Sequence, residues 1–435
     1  MINNTFLKFF LLTAVLFCLP SLSVSASAAE TAELSALIDA ALTQNPALQA
    51  AKDQQLSAGY KVNPAGALAD PIISFAFSNY PVDTFQPDVT PMTGNEIKLA
   101  QKVPFPGKRK AKKEIAAQDS LWFEGVYQDA MLELVRQVKA AYYKLYFIDR
   151  SLATVAGNLS LLDDLSRLAE TRYRVGKGKQ SDVLKIHLER TKQRDRLIQL
   201  EQKRDTVQGN LNRLANQSVD TEIQTPEQLQ VEPLTLNLDD LQISADKNRP
   251  LFAAWQARVE KAKKQKRLAG LDYKPDLTLW AGYRFRDDNL PDTGTDFASA
   301  GISFNLPVNR SRRAAAVSAS EASLNQAYNQ FADFRNKVSF AIDDAFNASS
   351  RNYQLVELYR TGIVLQARQV YASAMSSYQV GQAEFPELLS ALLALDKYET
   401  ELHRMVSEYL QAVARLEAAS GTPISVASIK VNPEN

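Results

Sequence analysis

The chain has 435 residues, 50 Lys+Arg against 49 Asp+Glu, and a formal net charge of +1. That balance excludes a basic nucleic-acid binder. One cysteine, two histidines (His187 and His403) and 16 glycines leave too few soft ligands for a metal enzyme, no disulfide framework and no glycine-rich phosphate loop. Residues 1–29 read as a signal peptide, with Lys8 as the basic region, an apolar run from Phe9 to Leu19 and a small-x-small cleavage site at Ala26-Ser27-Ala28. Cys18 lies inside this segment, between Phe17 and Leu19, which suit a lipid-attachment motif poorly. The apolar run is too short to span a bilayer as a helix, and no longer one follows.

After that segment the pattern predicts a helix over 33–62, strands at 71–79 and 96–103, and a very long helix over 108–174. A tight turn and a helix over 181–216 follow, then a linker, 217–237, carrying Pro226 and Pro233. The order then returns: a helix over 238–270, strands at 276–286 and 297–306, a long helix over 311–379, a turn, a helix over 386–420 and a tail, 422–435. Four markers keep one register. Gln44-Asn45-Pro46 returns as Asn248-Arg249-Pro250, Pro104 as Pro307, Tyr173-Arg174-Val175-Gly176 as Tyr378-Gln379-Val380-Gly381, and the stretch 210–216 as 413–419. A constant shift of about 204 residues marks a duplication, so two structural repeats are expected, 30–216 and 238–421.

In the first long helix Val135, Val138, Tyr142, Leu145, Leu152, Val155, Leu159 and Leu162 form a near-heptad seam for knobs-into-holes packing. A helix of that length reaches about 100 Å, which suits a spacer or a wall. The strands alternate. Ile73, Phe75 and Phe77, then Ile97, Leu99 and Val103, then Leu277, Leu279, Ala281, Tyr283 and Phe285, then Ala298, Ala300, Ile302, Phe304 and Leu306 oppose polar partners, with Trp280 breaking the polar side. Such runs fit a membrane β-barrel or a half-buried soluble sheet. The connections 80–95 and 287–296 are polar and turn-rich, as extracellular loops are. In lipid a sheet has to close, and four strands fall short of the roughly eight with which membrane barrels begin. Two chains would give an eight-stranded barrel whose interior side chains fill; a conduit favours three chains. The predicted fold is therefore mainly α with a small membrane β part, a duplicated repeat forming a trimeric α-barrel and a shared 12-stranded β-barrel.

The turn at 172–184 with its echo at 377–389, and the segment 70–83 followed by 101–114, resemble the hairpin tips, first strand pair and strand-to-helix bend of the TolC family of outer-membrane efflux proteins. The likeness is particularly to the branch serving heavy-metal or drug pumps of the resistance-nodulation-division type, and it covers nearly the whole chain after the signal. It implies a homotrimeric passive duct set in outer-membrane lipid with a long periplasmic portion. It also implies a periplasmic adaptor protein docked on the tips, an inner-membrane efflux pump that supplies the energy, and no cofactor, bond chemistry or nucleic acid. Under this resemblance Pro104, Pro106, Gly107 and Pro307 make the bends. The following Lys108, Arg109 and Lys110 are either a headgroup contact or a solvated helix start. Gly176 and Gly381 take positive φ at the tips. Tyr173, Arg174, Val175 and Gly176, with Tyr378, Val380 and Gly381, form the adaptor-docking surface, against the plainer reading of interhelical turns. Glu387 and Asp182 are the candidate periplasmic gate, with Asp182 or Ser181 alternatively capping a helix. Ser390 stands where better-known members carry a second acid. The rival reading is a periplasmic coiled-coil adaptor, which also has long hairpins but carries β-rich domains.

Overall fold

The computed structural model describes residues 32–289, 293–424 and 426–428. The signal-peptide reading of 1–29, Cys18 and the end of the 422–435 tail lie outside them. The sequence predicts one helix over 33–62, and the structure breaks it at Asn45, between α1 (Ala32–Gln44) and α2 (Pro46–Tyr60). Proline lacks an N–H and pushes the preceding residue out of the helical region. Asn45 accordingly sits at φ −63°, ψ 120° and accepts the Leu48 N–H at 3.1 Å, while its own amide donates to the Leu214 carbonyl at 2.8 Å. A single turn, α3 (Val62–Ala65), leads into β1 (Ile72–Ser78) and β2 (Gly94–Val103). The 67-residue α4 (Lys108–Arg174) and then α5 (Gln180–Leu214) complete the first half.

The linker holds β3 (Gln230–Val231), which pairs with β6 (Ala427–Ser428) of the tail. In the second half the predicted first helix is again split before a proline, into α6 (Leu238–Asn248) and α7 (Pro250–Leu271). Strands β4 (Leu277–Phe285) and β5 (Phe297–Phe304) follow. The second long helix is not continuous. A π-helical turn, Tyr359–Ile363, separates α8 (Arg310–Leu358) from α9 (Val364–Gln379). Helix α10 (Phe385–Ser420) closes the repeat.

The four longer strands form one antiparallel sheet in the order β1-β2-β4-β5. The register sets Ile73, Leu99, Ala281 and Ala300 in one cross-strand row and Phe75, Ile97, Tyr283 and Ala298 in the next, so every alternating apolar face falls on the same side. That side is bare: Ile73 is 74% exposed and Ile302 67%. The helices follow the same lateral order. Helices α1, α2 and α5 lie along α4, α4 in turn meets α7 and α10, and α8 packs beyond them on α7 and α10. The chain is thus a wall with two edges.

Within the wall Val138, Tyr142, Leu145, Val155 and Leu162 of the predicted seam are buried against neighbouring helices, joined by linker residues Ile223, Leu229 and Val231 around the first four. A polar node interrupts the seam. Buried Asp396 of α10 accepts from Asn158 of α4 at 2.6 Å and from Gln193 and Arg196 of α5 at 3.3 and 2.8 Å. It ties three helices together with a charge that is fully partnered, and breaking such a buried pair costs roughly 3–5 kcal/mol.

His403 packs beside Tyr146, its Nδ1 3.3 Å from the hydroxyl. Burial first, and the Arg150 charge second, lower its pKa from 6.5 to about 4. The folded wall therefore holds this histidine neutral while the unfolded chain takes up its proton from pH 6.5 downward. This group's contribution to stability is complete above pH 6.5, falls as pH drops towards 4, and is constant below; the whole effect is about 3 kcal/mol. Circular-dichroism melts in detergent should show that pH slope, and His403→Gln should remove this component. An unchanged slope in the variant would exclude His403 as its source.

Candidate functional site

At the bends, a backbone that leaves a sheet and enters a helix has to satisfy donors from both. Pro104 and Pro106 remove two of them. The Phe105 N–H donates to Asp276 Oδ1 at 2.9 Å, and Gly107, at φ +95°, turns the chain into α4. In the second half Pro307 lies in the corresponding irregular stretch, and Asn309 caps α8 by accepting the Arg312 N–H at 3.1 Å. Lys108 is neither a headgroup contact nor a solvated helix start. It is buried, with its ammonium 2.9 Å from Asp276, 3.2 Å from Asp272 and 3.2 Å from the Lys274 carbonyl. Arg313 at the start of α8 is likewise buried and donates to the Asp272 carbonyl at 2.7 Å. Both cations thus sit at the C-terminal, partially negative end of α7. Burial alone would raise the Asp276 carboxyl. The Phe105 N–H and the Lys108 and Lys102 charges outweigh it and hold the pKa below the usual carboxylate range.

At the far end of the wall, two hairpin tips close with the same hydrogen bonds. Gly176 N–H donates to the Tyr173 carbonyl at 3.0 Å and Lys177 N–H to Arg172 at 2.8 Å. In the second tip Gly381 donates to Tyr378 at 3.1 Å and Gln382 to Ser377 at 2.8 Å. This is the Schellman closure, which needs a left-handed residue, and Gly176 and Gly381 supply it at φ +75° and +81°. Val175, Val380 and Tyr173 are exposed, as are Arg174 and both glycines.

Tyr378 departs from the expectation for a docking surface. It is 4% exposed, with its ring edge-on to Phe385 at 5.8 Å. The Arg172 guanidinium lies 4.6 Å over that ring and also donates to the Tyr378 carbonyl. Tyr378 thus holds the tips together from behind, and its neighbours are left exposed. Arg172 and the Lys179–Glu384 pair, at 3.1 Å, join the two tips. Sequence reading missed both, since each contact spans more than 200 residues and no local pattern reports it.

Asp182 and Glu387 occupy equivalent first-turn positions, their N–H groups each donating at 3.1 Å to Lys179 and Glu384 respectively. Those two are the N-cap residues, and neither makes a side-chain cap, so Asp182 and Ser181 are not caps. Glu387 is exposed, whereas Asp182 is buried. After burial, which raises the Tyr378 hydroxyl pKa, and Arg172, which lowers it, the Asp182 charge raises it further. Asp182 therefore belongs to the interior of the tip, whereas Glu387 presents its carboxylate to solvent.

Exposed apolar residues also stand on the outermost helices of the wall. Leu184, Leu188 and Ile198 stand exposed on α5, and Phe340 and Val370 on α8 and α9. Among the described residues no helix is long and apolar enough to cross a membrane.

A family model described as "Outer membrane efflux protein" matches residues 37–217 and 243–422, one stretch in each half. A curated relative, toxin and drug export protein A of Aggregatibacter actinomycetemcomitans, is 24% identical over 183 residues; the match covers 41% of this chain and spans 40% of that protein's length. Among solved structures, the outer membrane protein VceC of Vibrio cholerae superposes with a TM-score of 0.76 at 22% identity, covering 90% of this chain and 96% of that one. The Campylobacter jejuni CmeC outer membrane channel gives 0.78 at 14% identity, covering 90% and 86%. The open state of the Neisseria gonorrhoeae MtrE outer membrane channel gives 0.75 at 14%, covering 90% and 89%. At these identities the structural likeness is one of fold.

Proposed function

The chain belongs to the outer membrane efflux protein family, and from that premise we propose that three copies close edge to edge into a passive export duct. Its sheet sits in the outer membrane and its helices cross the periplasm. The observation that carries this reading is the sheet itself. Four strands with a bare apolar face end in unpaired edges at β1 and β5. In lipid each unpaired backbone group costs several kcal/mol, so the edges have to meet another strand. Joining β5 of one copy to β1 of the next brings α8 and α9 beside the neighbour's α5, which matches the exposed apolar residues on both. Such a head-to-tail contact closes into a ring. A periplasmic adaptor finds no support, since the family match and the solved neighbours are outer-membrane proteins and channels.

The exposed Val175 and Val380, flanked by Tyr173, Arg174, Gly176 and Gly381, form the surface on which a periplasmic adaptor docks. The adaptor links the duct to the inner-membrane pump that drives export. Three copies of Glu387 ring the periplasmic entrance and attract cations there. The cargo is a small molecule, with metal ions and drugs both within the reach of a passive tube.

Purified protein should require detergent, migrate as a heat-modifiable oligomer of three chains and conduct ions in planar bilayers. A monomer that stays soluble without detergent would overturn the duct. The double variant Val175→Asp/Val380→Asp should lose export in cells and adaptor cross-linking while remaining trimeric; retained export would remove the valines from the docking surface. Glu387→Ala should raise single-channel conductance and weaken block by multivalent cations, and unchanged values for both would rule Glu387 out as the gate.

A further inference from the structure

The inner face of the sheet carries the strands' charged and hydroxyl side chains, interrupted by Ile72, Ala76, Ala100, Phe297 and Trp280. Trp280 points to that side, in the row Ile72, Ala100, Trp280, Gly301. Its ring lies against β5, where a Cβ at residue 301 would come within 2.6 Å of the indole, so residue 301 has no room for a side chain. On the other side of the ring stands Lys98, its ammonium 4.2 Å from the centroid. A cation held over an indole face is fixed in place without being neutralised.

Two neighbouring cations on this face are paired with carboxylates, and Arg286 donates to the Thr295 carbonyl at 3.1 Å and lies over Phe297. Arg284 pairs with Glu96 at 3.4 Å, and Lys102 reaches Asp276 at 3.7 Å. Glu96, two residues from Lys98 on the same face, gives its Oε2 to Arg284 while its Oε1 lies over Gly282, and the Lys98 ammonium makes its close contact with the indole face and not with a carboxylate. We infer that Lys98, seated on Trp280, builds a cationic collar inside the barrel, which concentrates anions over cations at that level of the duct. The collar rests on the trimeric duct reading, which repeats Lys98 three times around one lumen.

The register supplies a reporter position. Lys98 pairs with Gly282 and Gly282 with Ser299, so Ser299 lies two strands from Lys98 in the same row, about 10 Å away and within about one Debye length at physiological salt. Cys18, the chain's one cysteine, lies in the segment read as a signal peptide, so Ser299→Cys provides a single thiol. Its rates of modification by a sulfonate-bearing and a trimethylammonium-bearing methanethiosulfonate are to be measured on the intact oligomer in outer-membrane vesicles. Lys98→Gln should lower the anionic-to-cationic rate ratio by roughly twofold, and Lys98→Arg should preserve it, which separates charge from folding. A ratio unmoved by Lys98→Gln overturns the collar and leaves the duct standing. If neither charged reagent reacts while a lipid-soluble maleimide does, this face meets lipid, and the duct reading falls together with the collar.

Discussion

A backbone amide in hydrocarbon has no water to bond with, and the rest of this protein follows from that. The sheet can enter lipid only if β1 and β5 find partners, and the described residues include no further long strand to offer them. Closure by identical copies is the solution that uses what is already present. The helices then inherit the curvature of the sheet, because each strand is joined by a short bend to the helix beneath it. Lys108, Arg313, Asp272 and Asp276 lock α7 to the starts of both long helices, so that the lateral order of the strands is carried down the wall.

Much of this was legible in the sequence because it is local and periodic. The first long helix runs over the residues the seam predicts, with Gly107 at its start and Gly176 just past its end. The alternating strands fall within a residue or two of their expected bounds, and the pairing register puts their apolar faces together. The duplication, read from four short markers, anticipated the two matching tips.

What remained hidden depends on partners far away in the chain. Lys108 reads as one of three exposed cations until Asp276, 168 residues later, comes within bonding distance. Tyr378 reads as the twin of Tyr173, yet only one of the pair is buried, because Arg172 and Phe385 converge on the second tip alone. Asp182 and Glu387 share a position and differ in surroundings. The Asp396 node draws on three helices whose individual patterns carry no sign of it. Duplication gives equivalent backbone positions, while burial is decided by neighbours that the two halves do not share.

The π-helical turn at Tyr359–Ile363 shows how such halves stay compatible. The first long helix has 67 residues; α8, the turn and α9 have 49, 5 and 16, so the second path is three residues longer. Each added residue would rotate everything beyond it by about 100° in a regular helix. A π-helical turn takes up about one added residue locally, and both tips still close with the same hydrogen bonds. A length difference between duplicated halves is thus partly absorbed inside a helix, and the two tips keep one closing geometry.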